Sequence, residues 1–310
     1  MPEQTKPYIY GPVPSRRLGR SLGVDLVPFK TCTYDCIYCQ LGRTTNKTLQ
    51  RKEWVPLDRV LTQLEAKLER EPDYITLAGS GEPTLHSKIG ELIVRIKEVT
   101  DIPVAVLTNG SLLWMPDVRE ALMAADLVVP SLDAGTNELF RYVNRPHTDI
   151  VFGKMLEGLV KLRDEYTGQY WLEVFLLSGV TTVEAQLKML SHCIKVIGPD
   201  KVQLNTVTRP PAEEYAEPVP RERLEQIAGQ ISDIAEVVAA FPHEEVADNF
   251  RSNRDDIVHL LKRRPCSVQD IAAGLGIHLN EAAKQVDRLV SEGKVKTRRH
   301  HGVLYCETGP

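Results

Sequence analysis

The stretch Thr31-Cys32-Thr33-Tyr34-Asp35-Cys36-Ile37-Tyr38-Cys39-Gln40 sets three thiols in a Cys-x3-Cys-x2-Cys spacing, directly after the apolar run Leu22–Val27. The cysteines therefore belong to a loop that leaves a strand. An iron–sulfur cube normally takes four protein thiolates, so a loop that supplies three leaves one iron open to another ligand, much as catalytic zinc sites keep a position open. A zinc knuckle or three unrelated buried thiols are the competing readings of the spacing alone. The other cysteines, Cys193, Cys266 and Cys306, have no CxxC neighbour and read as isolated thiols. This usage is unlike the paired framework of a secreted protein.

Outward from the loop, two patterns alternate. Leu22–Val27, Tyr74–Ala78, Val104–Thr108, Leu127–Leu132, Trp171–Leu176 and Val202–Thr206 are nearly continuous apolar runs, as expected of strands buried on both faces. Between them, Leu57–Arg70 carries Leu57, Val60, Leu61, Leu64 and Leu68 at helical spacing. Ile89–Val99, Val118–Ala125, Val151–Glu165 and Val183–Val196 repeat that period. Strand–helix alternation implies an α/β fold around a parallel sheet. Six such units fall short of a standard eight-stranded barrel, which leaves an open doubly wound sheet or a partial barrel. Either would carry functional residues on the loops after the strand C-termini.

Those loops are polar. Gly79-Ser80-Gly81-Glu82-Pro83 joins glycines, which allow close backbone approach, to a carboxylate able to receive an ammonium group. Thr108-Asn109-Gly110 and Ser131-Leu132-Asp133 follow the next two strands and offer short polar groups, and Gln203-Leu204-Asn205-Thr206 ends the sixth. Ordinary turns, helix N-caps and structural strand residues are the alternatives to a binding role.

Cys32, Cys36 and Cys39, with the aromatic Tyr38 before the third cysteine, resemble the signature of the radical S-adenosylmethionine (radical SAM) superfamily. The resemblance implies a 4Fe-4S cluster on the three thiolates and S-adenosylmethionine chelated at the free iron. It further implies one-electron cleavage to a 5′-deoxyadenosyl radical that abstracts hydrogen from a substrate. Cofactor contacts are then expected at Tyr38, Gly79, Ser80, Gly81, Glu82, Thr108, Asn109, Ser131, Asp133 and Asn205. The implied fold is a partial (β/α)6 TIM-like barrel over residues 1–249, and the implied electron donor is a protein such as flavodoxin or ferredoxin.

Gly11–Asp25, taken with Gln40-Leu41-Gly42-Arg43, is similar to the wyosine-synthetase-like iron–sulfur oxidoreductase branch, a likeness that runs over about residues 8–210. The related enzyme joins pyruvate carbons to a methylated guanosine of transfer RNA, using a second cluster on cysteines upstream of the signature. No cysteine precedes Cys32 here, so only the cofactor chemistry is carried over. Arg16, Arg17, Arg43, Arg145 and Arg209 are candidates to meet an anionic substrate, with solvation or ion pairing the ordinary fate of an arginine.

The formal net charge of -4 hides an asymmetry, because residues 251–310 carry 11 Lys/Arg against 7 Asp/Glu. After the proline-rich Arg209–Pro220, a helix over Glu222–Ile234 and a strand-like Val237–Phe241 lead through Pro242–Asn253 to this basic tail, with the boundary expected near residue 250. Helices over Asp255–Arg263, Val268–Leu275 and Asn280–Glu292, punctuated by Gly274, Gly276 and Gly293, precede a hairpin around His301–Gly302. Residues 250–310 thus resemble a winged helix-turn-helix, with Ala283, Val286, Leu289 and Val290 expected on one side of the third helix. Lys284, Arg288, Lys294, Lys296, Arg298 and Arg299 would suit RNA or DNA, while a protein-docking role fits the modest charge better. His300 and His301 read as a solvated hairpin. A peptide- or protein-modifying radical enzyme and a non-catalytic iron–sulfur DNA-binding regulator are therefore the rival functions. No apolar run suits a membrane, and a cytoplasmic location is expected.

Overall fold

Runs that are apolar at nearly every position cannot face water on either side, and the expected strands are buried accordingly. Leu22, Val24, Ile75, Leu77, Val104, Val106, Val128, Leu172, Val174, Val202 and Leu204 are fully enclosed. The computed structural model describes residues 7–238, 254–275, 277 and 279–308. One sheet holds eight strands in chain order: β1 (Ile9–Ser15), β2 (Gly19–Val24), β3 (Tyr74–Leu77), β4 (Val104–Thr108), β5 (Leu127–Pro130), β6 (Gln169–Leu176), β7 (Lys201–Thr206) and β8 (Ala235–Val237). β1 is antiparallel to β2, and every later neighbour pair is parallel.

The crossovers are α1 (Leu57–Leu68), α2 (Ile89–Val99), α3 (Pro116–Glu120), α4 (Asn137–Val143), α5 (Phe152–Glu165), α6 (Glu184–Ile197) and α7 (Arg221–Ile231). Each longer helix lays an apolar stripe on the sheet, as α1 does with Leu57, Val60, Leu61 and Leu64. This is the partial barrel rather than the doubly wound sheet. The helix expected over Val118–Ala125 is only the short α3, started by Pro116 at its first turn. β1 and α4 were not anticipated: Pro12 and Pro14 break the strand pattern of β1, which an edge position tolerates.

In the C-terminal segment, α8 (Arg254–Leu261), α9 (Val268–Leu275) and α10 (Leu279–Ser291) pack on a three-stranded antiparallel sheet. Its strands are β9 (Cys266–Ser267), β10 (Val295–His300) and β11 (Val303–Thr308). Their apolar side chains, Ile257, Leu260, Ile271, Val286 and Leu289 among them, form a cluster of their own that also takes in Val13 of β1. On α10 the buried stripe is Ala282, Val286 and Leu289, while the expected Ala283 and Val290 are exposed; a four-then-three spacing keeps one face, and Ala283 lies off it. Val237 ends β8, whereas residues 239–241, the stretch Pro242–Asn253, the boundary near 250 and Gly276 lie outside the described residues. Among the described residues, no helix is long and apolar enough to cross a membrane.

The C-terminal segment is tied to the barrel by polar contacts. Arg263 pairs with Asp25 just beyond β2 and lies 4.0 Å over the Tyr10 ring. The Tyr305 hydroxyl donates to the Thr208 carbonyl at 2.6 Å. Arg298 reaches Glu214 at 2.9 Å, and Arg209 reaches Asp270 at 3.4 Å.

Candidate active site

The cysteine loop starts from a two-residue parallel pairing of Thr31–Cys32 with Asn46–Lys47 and is pinned again at its middle. There Ile37, fully buried against Val143, Leu177 and Val207, donates its amide to the Val143 carbonyl at 2.9 Å. Cys39 N donates to Cys36 O at 3.1 Å, a tight turn that carries the second and third thiols together. Amide donors address two of the sulfurs: Asn109 Nδ2 and Tyr34 N reach Cys32 Sγ at 3.5 Å, and Asn144 Nδ2 reaches Cys36 Sγ at 3.5 Å. None of the three is in a disulfide. Burial pushes all three thiols up, Cys32 to about 12, with neighbouring negative charge adding to the effect at Cys32 and Cys36.

Next to that loop, Glu82 is buried and its carboxylate is nearly saturated. Oε1 accepts from Thr84 N at 3.0 Å, Thr84 Oγ1 at 2.6 Å and Thr108 Oγ1 at 2.6 Å, while Oε2 accepts from Asn109 N at 2.7 Å. Burial raises its pKa against these bonds, which favour the charged form. The glycine before it is obligatory, because a Cβ on Gly81 would lie 1.8 Å from the Thr31 carbonyl oxygen. Glu82 N donates to that same oxygen, which fastens the glycine-rich loop to the root of the cysteine loop.

A cavity of about 410 Å³ opens over the C-terminal ends of the strands and runs between the two ends of the sheet. Cys32, Cys36, Cys39, Tyr38, Gly79, Ser80, Gly81, Glu82, Thr108, Asn109, Ser131 and Asn205 all line it. Asp133 does not. It stands behind the wall, taking hydrogen bonds from Tyr38 OH at 2.5 Å, Asn144 Nδ2 at 2.6 Å and Phe175 N at 3.0 Å, and so positions Tyr38, whose ring stacks on Phe175 at 3.9 Å. Burial raises Asp133 to about 6. The Ser131 hydroxyl has no partner among the described residues, whereas Ser80 spends both its amide and its hydroxyl on Asp25, at 2.6 and 3.0 Å. A larger, shallow depression of about 940 Å³ lies at the opposite strand ends, around Asp126, Gly168 and Asp200, away from all of these groups.

Glu173 went unnoticed in the sequence because β6 reads as an apolar strand; a lone carboxylate inside such a run is the signal that was there. It receives both terminal nitrogens of Arg17, at 3.0 and 2.7 Å, and Asn205 Nδ2 at 2.9 Å. Burial alone would raise its pKa, but the Arg17 guanidinium holds it below the ordinary carboxylate range. The other arginines sort just as clearly. Arg43 and Arg145 both pair with Glu213, the latter at 2.6 Å. Arg16 and Arg209 line the cavity, joined there by Arg264 from the C-terminal segment.

Three thiols, two of them met by N–H donors, are a donor set that suits an iron–sulfur cube. Among the described residues, no three His, Cys, Asp or Glu side chains converge as a ligand set for one ion. A cube asks instead for thiolates on separate irons, and N–H groups aimed at two of the sulfurs suit anionic, metal-bound thiolate. Cys193 is buried in the barrel core, and Cys266 and Cys306 lie together in the C-terminal core.

This constellation on a partial barrel defines a class, and the chain belongs to the radical SAM superfamily of enzymes, whose family model matches residues 26–188. Among curated relatives it is 34% identical over 306 residues to the UPF0026 protein MJ1312 of Methanocaldococcus jannaschii, covering 96% of this chain and 94% of that one. It is also 39% identical over 303 residues to a Brachyspira hyodysenteriae protein named GTPase Obg. That match covers 96% of this chain but only 44% of the relative, so the chain spans less than half of that protein. Its fold is similar to a radical SAM methyltransferase from Sphaerobacter thermophilus, with a TM-score of 0.56 at 18% identity over 83% of this chain and 70% of that one. Streptococcus suis SuiB bound to S-adenosylmethionine matches with a TM-score of 0.52 at 14% identity, over 70% and 50%.

Proposed function

We propose that this chain holds a 4Fe-4S cluster on Cys32, Cys36 and Cys39 and binds S-adenosylmethionine in the adjoining cavity to start radical chemistry on a substrate admitted between the two ends of the sheet. The observation that carries this reading is the arrangement of three undisulfided cysteines on one cavity wall, with amide donors directed at the sulfurs of Cys32 and Cys36. When bound, the cluster supplies one electron that splits the sulfonium bond and yields a 5′-deoxyadenosyl radical able to abstract hydrogen.

The protein groups divide that work. Asn109 and Asn144 steady the cluster-facing sulfurs. The free lone pair on Glu82 Oε2, together with the Ser131 hydroxyl, offers acceptors for an ammonium group. The Tyr38 ring, held by Asp133 and Phe175, and Asn205, held by Glu173, form the walls on either side. The described residues of the C-terminal segment, between 254 and 308, act as a winged-helix-like module that closes the seam of the barrel, a reading supported by the ties from Arg263, Tyr305 and Arg298. Reconstituting the protein anaerobically, reducing it with dithionite and following 5′-deoxyadenosine tests the reading. Iron at four per chain with 5′-deoxyadenosine formed is the expected result; zinc in place of iron, or no S-adenosylmethionine binding, overturns it.

A further inference from the structure

Charge in the cavity is unbalanced. Among the described residues its lining includes Arg16, Arg17, Lys30, Arg209 and Arg264 against two carboxylates, Glu82 and Glu173. Both carboxylates are already used, Glu173 by Arg17 and Glu82 by its neutral donors. Arg16 and Arg264 make no ion pair or side-chain hydrogen bond with any described residue. Arg209 is 6% exposed, with a buried Nε that has no partner and only 3.4 Å contacts to Gln40 and Asp270. Burial and the neighbouring Arg209 push Arg16 down to about 10, so the native structure holds these cations together at a cost. Such a cluster, with Arg209 buried and Arg16 and Arg264 partly buried, suits a multiply charged anion.

The three arginines come from three places: the β1–β2 turn, the chain after β7, and the segment after α8. They meet only because the C-terminal segment is docked on the barrel. We propose that Arg16, Arg209 and Arg264 form a subsite for the phosphoryl group of a small phosphorylated compound, which rests on the function proposed above only in naming that compound the substrate. Guanidinium forks match phosphate oxygens in pairs, and three of them suit a dianion. The anion is part of a small molecule and not of a nucleic acid. Of the tail's six candidates for contacting a polymer, Lys284, Lys294, Lys296 and Arg298 pair with Glu281, Glu292, Glu307 and Glu214, which leaves Arg288 and Arg299, too few cations to hold a polyanion.

The test is calorimetric titration of inorganic phosphate into the cluster-loaded full chain, with and without saturating S-adenosylmethionine. Malonate and a short single-stranded RNA serve as competing probes. Phosphate is expected to bind in both states and to outbind malonate and RNA. Arg16→Gln and Arg264→Gln, each confirmed folded by its melting curve, are expected to weaken phosphate roughly tenfold or more, and Arg16→Lys by less. Four results each overturn the subsite: no phosphate binding to the folded protein, equal binding by both glutamine variants, displacement of phosphate by S-adenosylmethionine, and tighter binding of malonate or RNA. Wild-type 5′-deoxyadenosine formation, measured on the same samples, separates the two proposals. Its absence beside intact phosphate binding sinks the radical function and spares the subsite, and the reverse sinks the subsite alone.

Discussion

Along β3 to β6 the cavity wall keeps its charges occupied. Glu82 is ringed by donors from Thr84, Thr108 and Asn109, and Glu173 is clasped by Arg17 and Asn205. At the seam between the two ends of the sheet, Arg16 and Arg264 have no such partners among the described residues, and Arg209 has only distant ones. A wall whose charges are paired or hydrogen-bonded is positioned before any ligand arrives and serves as scaffold. A wall left with surplus charge is completed by what binds there. The two walls thus divide the site into a part that positions and a part that selects.

The largest effect is expected at the cysteines, which line a third side of the cavity. Replacing Cys32, Cys36 or Cys39 by serine should abolish iron incorporation and 5′-deoxyadenosine formation together, read by absorbance near 400 nm and by chromatography. Replacement of Cys193 should leave both in place. Iron retained at full stoichiometry after any of the three substitutions would detach the loop from the cluster.

Glu82 comes next. If its wall is scaffold, Glu82→Ala should cost stability even in metal-free protein, because it strands donors on Thr84, Thr108 and Asn109 in the interior. The expected loss is about 4 kcal/mol by urea denaturation. A cost below about 1 kcal/mol would show that Glu82 does not support this wall.

Asp25 tests how the second wall is assembled. It accepts from Ser80 and pairs with Arg263, so Asp25→Leu removes the latch between the glycine-rich loop and the C-terminal segment. A loss of about 3 kcal/mol is expected, and limited proteolysis should then cut the C-terminal segment faster than the barrel. Uniform cleavage in both halves would show that the apolar packing around Val13 carries the docking.

The legible parts of this molecule are those where local pattern and burial coincide. All six expected strands lie within three residues of their places, since a strand buried on both faces is mostly apolar, as Val104–Val106 is throughout. The thiol spacing announced the loop, and polar loops after the strands announced the cavity. What pattern could not supply was partnership. Five arginines looked alike in the sequence, yet Arg17 pairs with Glu173 while Arg43 and Arg145 share Glu213, each partner more than sixty residues away, and Arg264 joined the group unforeseen. Asp133, expected at the cofactor, stands one layer back because Tyr38 occupies the surface in front of it.

The smallest effect concerns pH and the scaffold wall. His86 follows the Glu82 loop, fully buried, with Nε2–H donating to the Val55 carbonyl at 2.9 Å and Nδ1 accepting from Lys88 N at 3.3 Å, an arrangement that requires the neutral ring. Burial lowers its pKa below the ordinary histidine value, so the folded chain binds fewer protons than the unfolded one. That contribution is complete above about pH 6.5 and is lost as the pH falls through the lower, folded-state value. The urea midpoint of the wild type should therefore fall more steeply than that of His86→Gln between about pH 7 and about pH 5. Parallel curves would mean that the loop opens enough to protonate the ring without strain, and the wall beside Glu82 would then be softer than its hydrogen bonds imply.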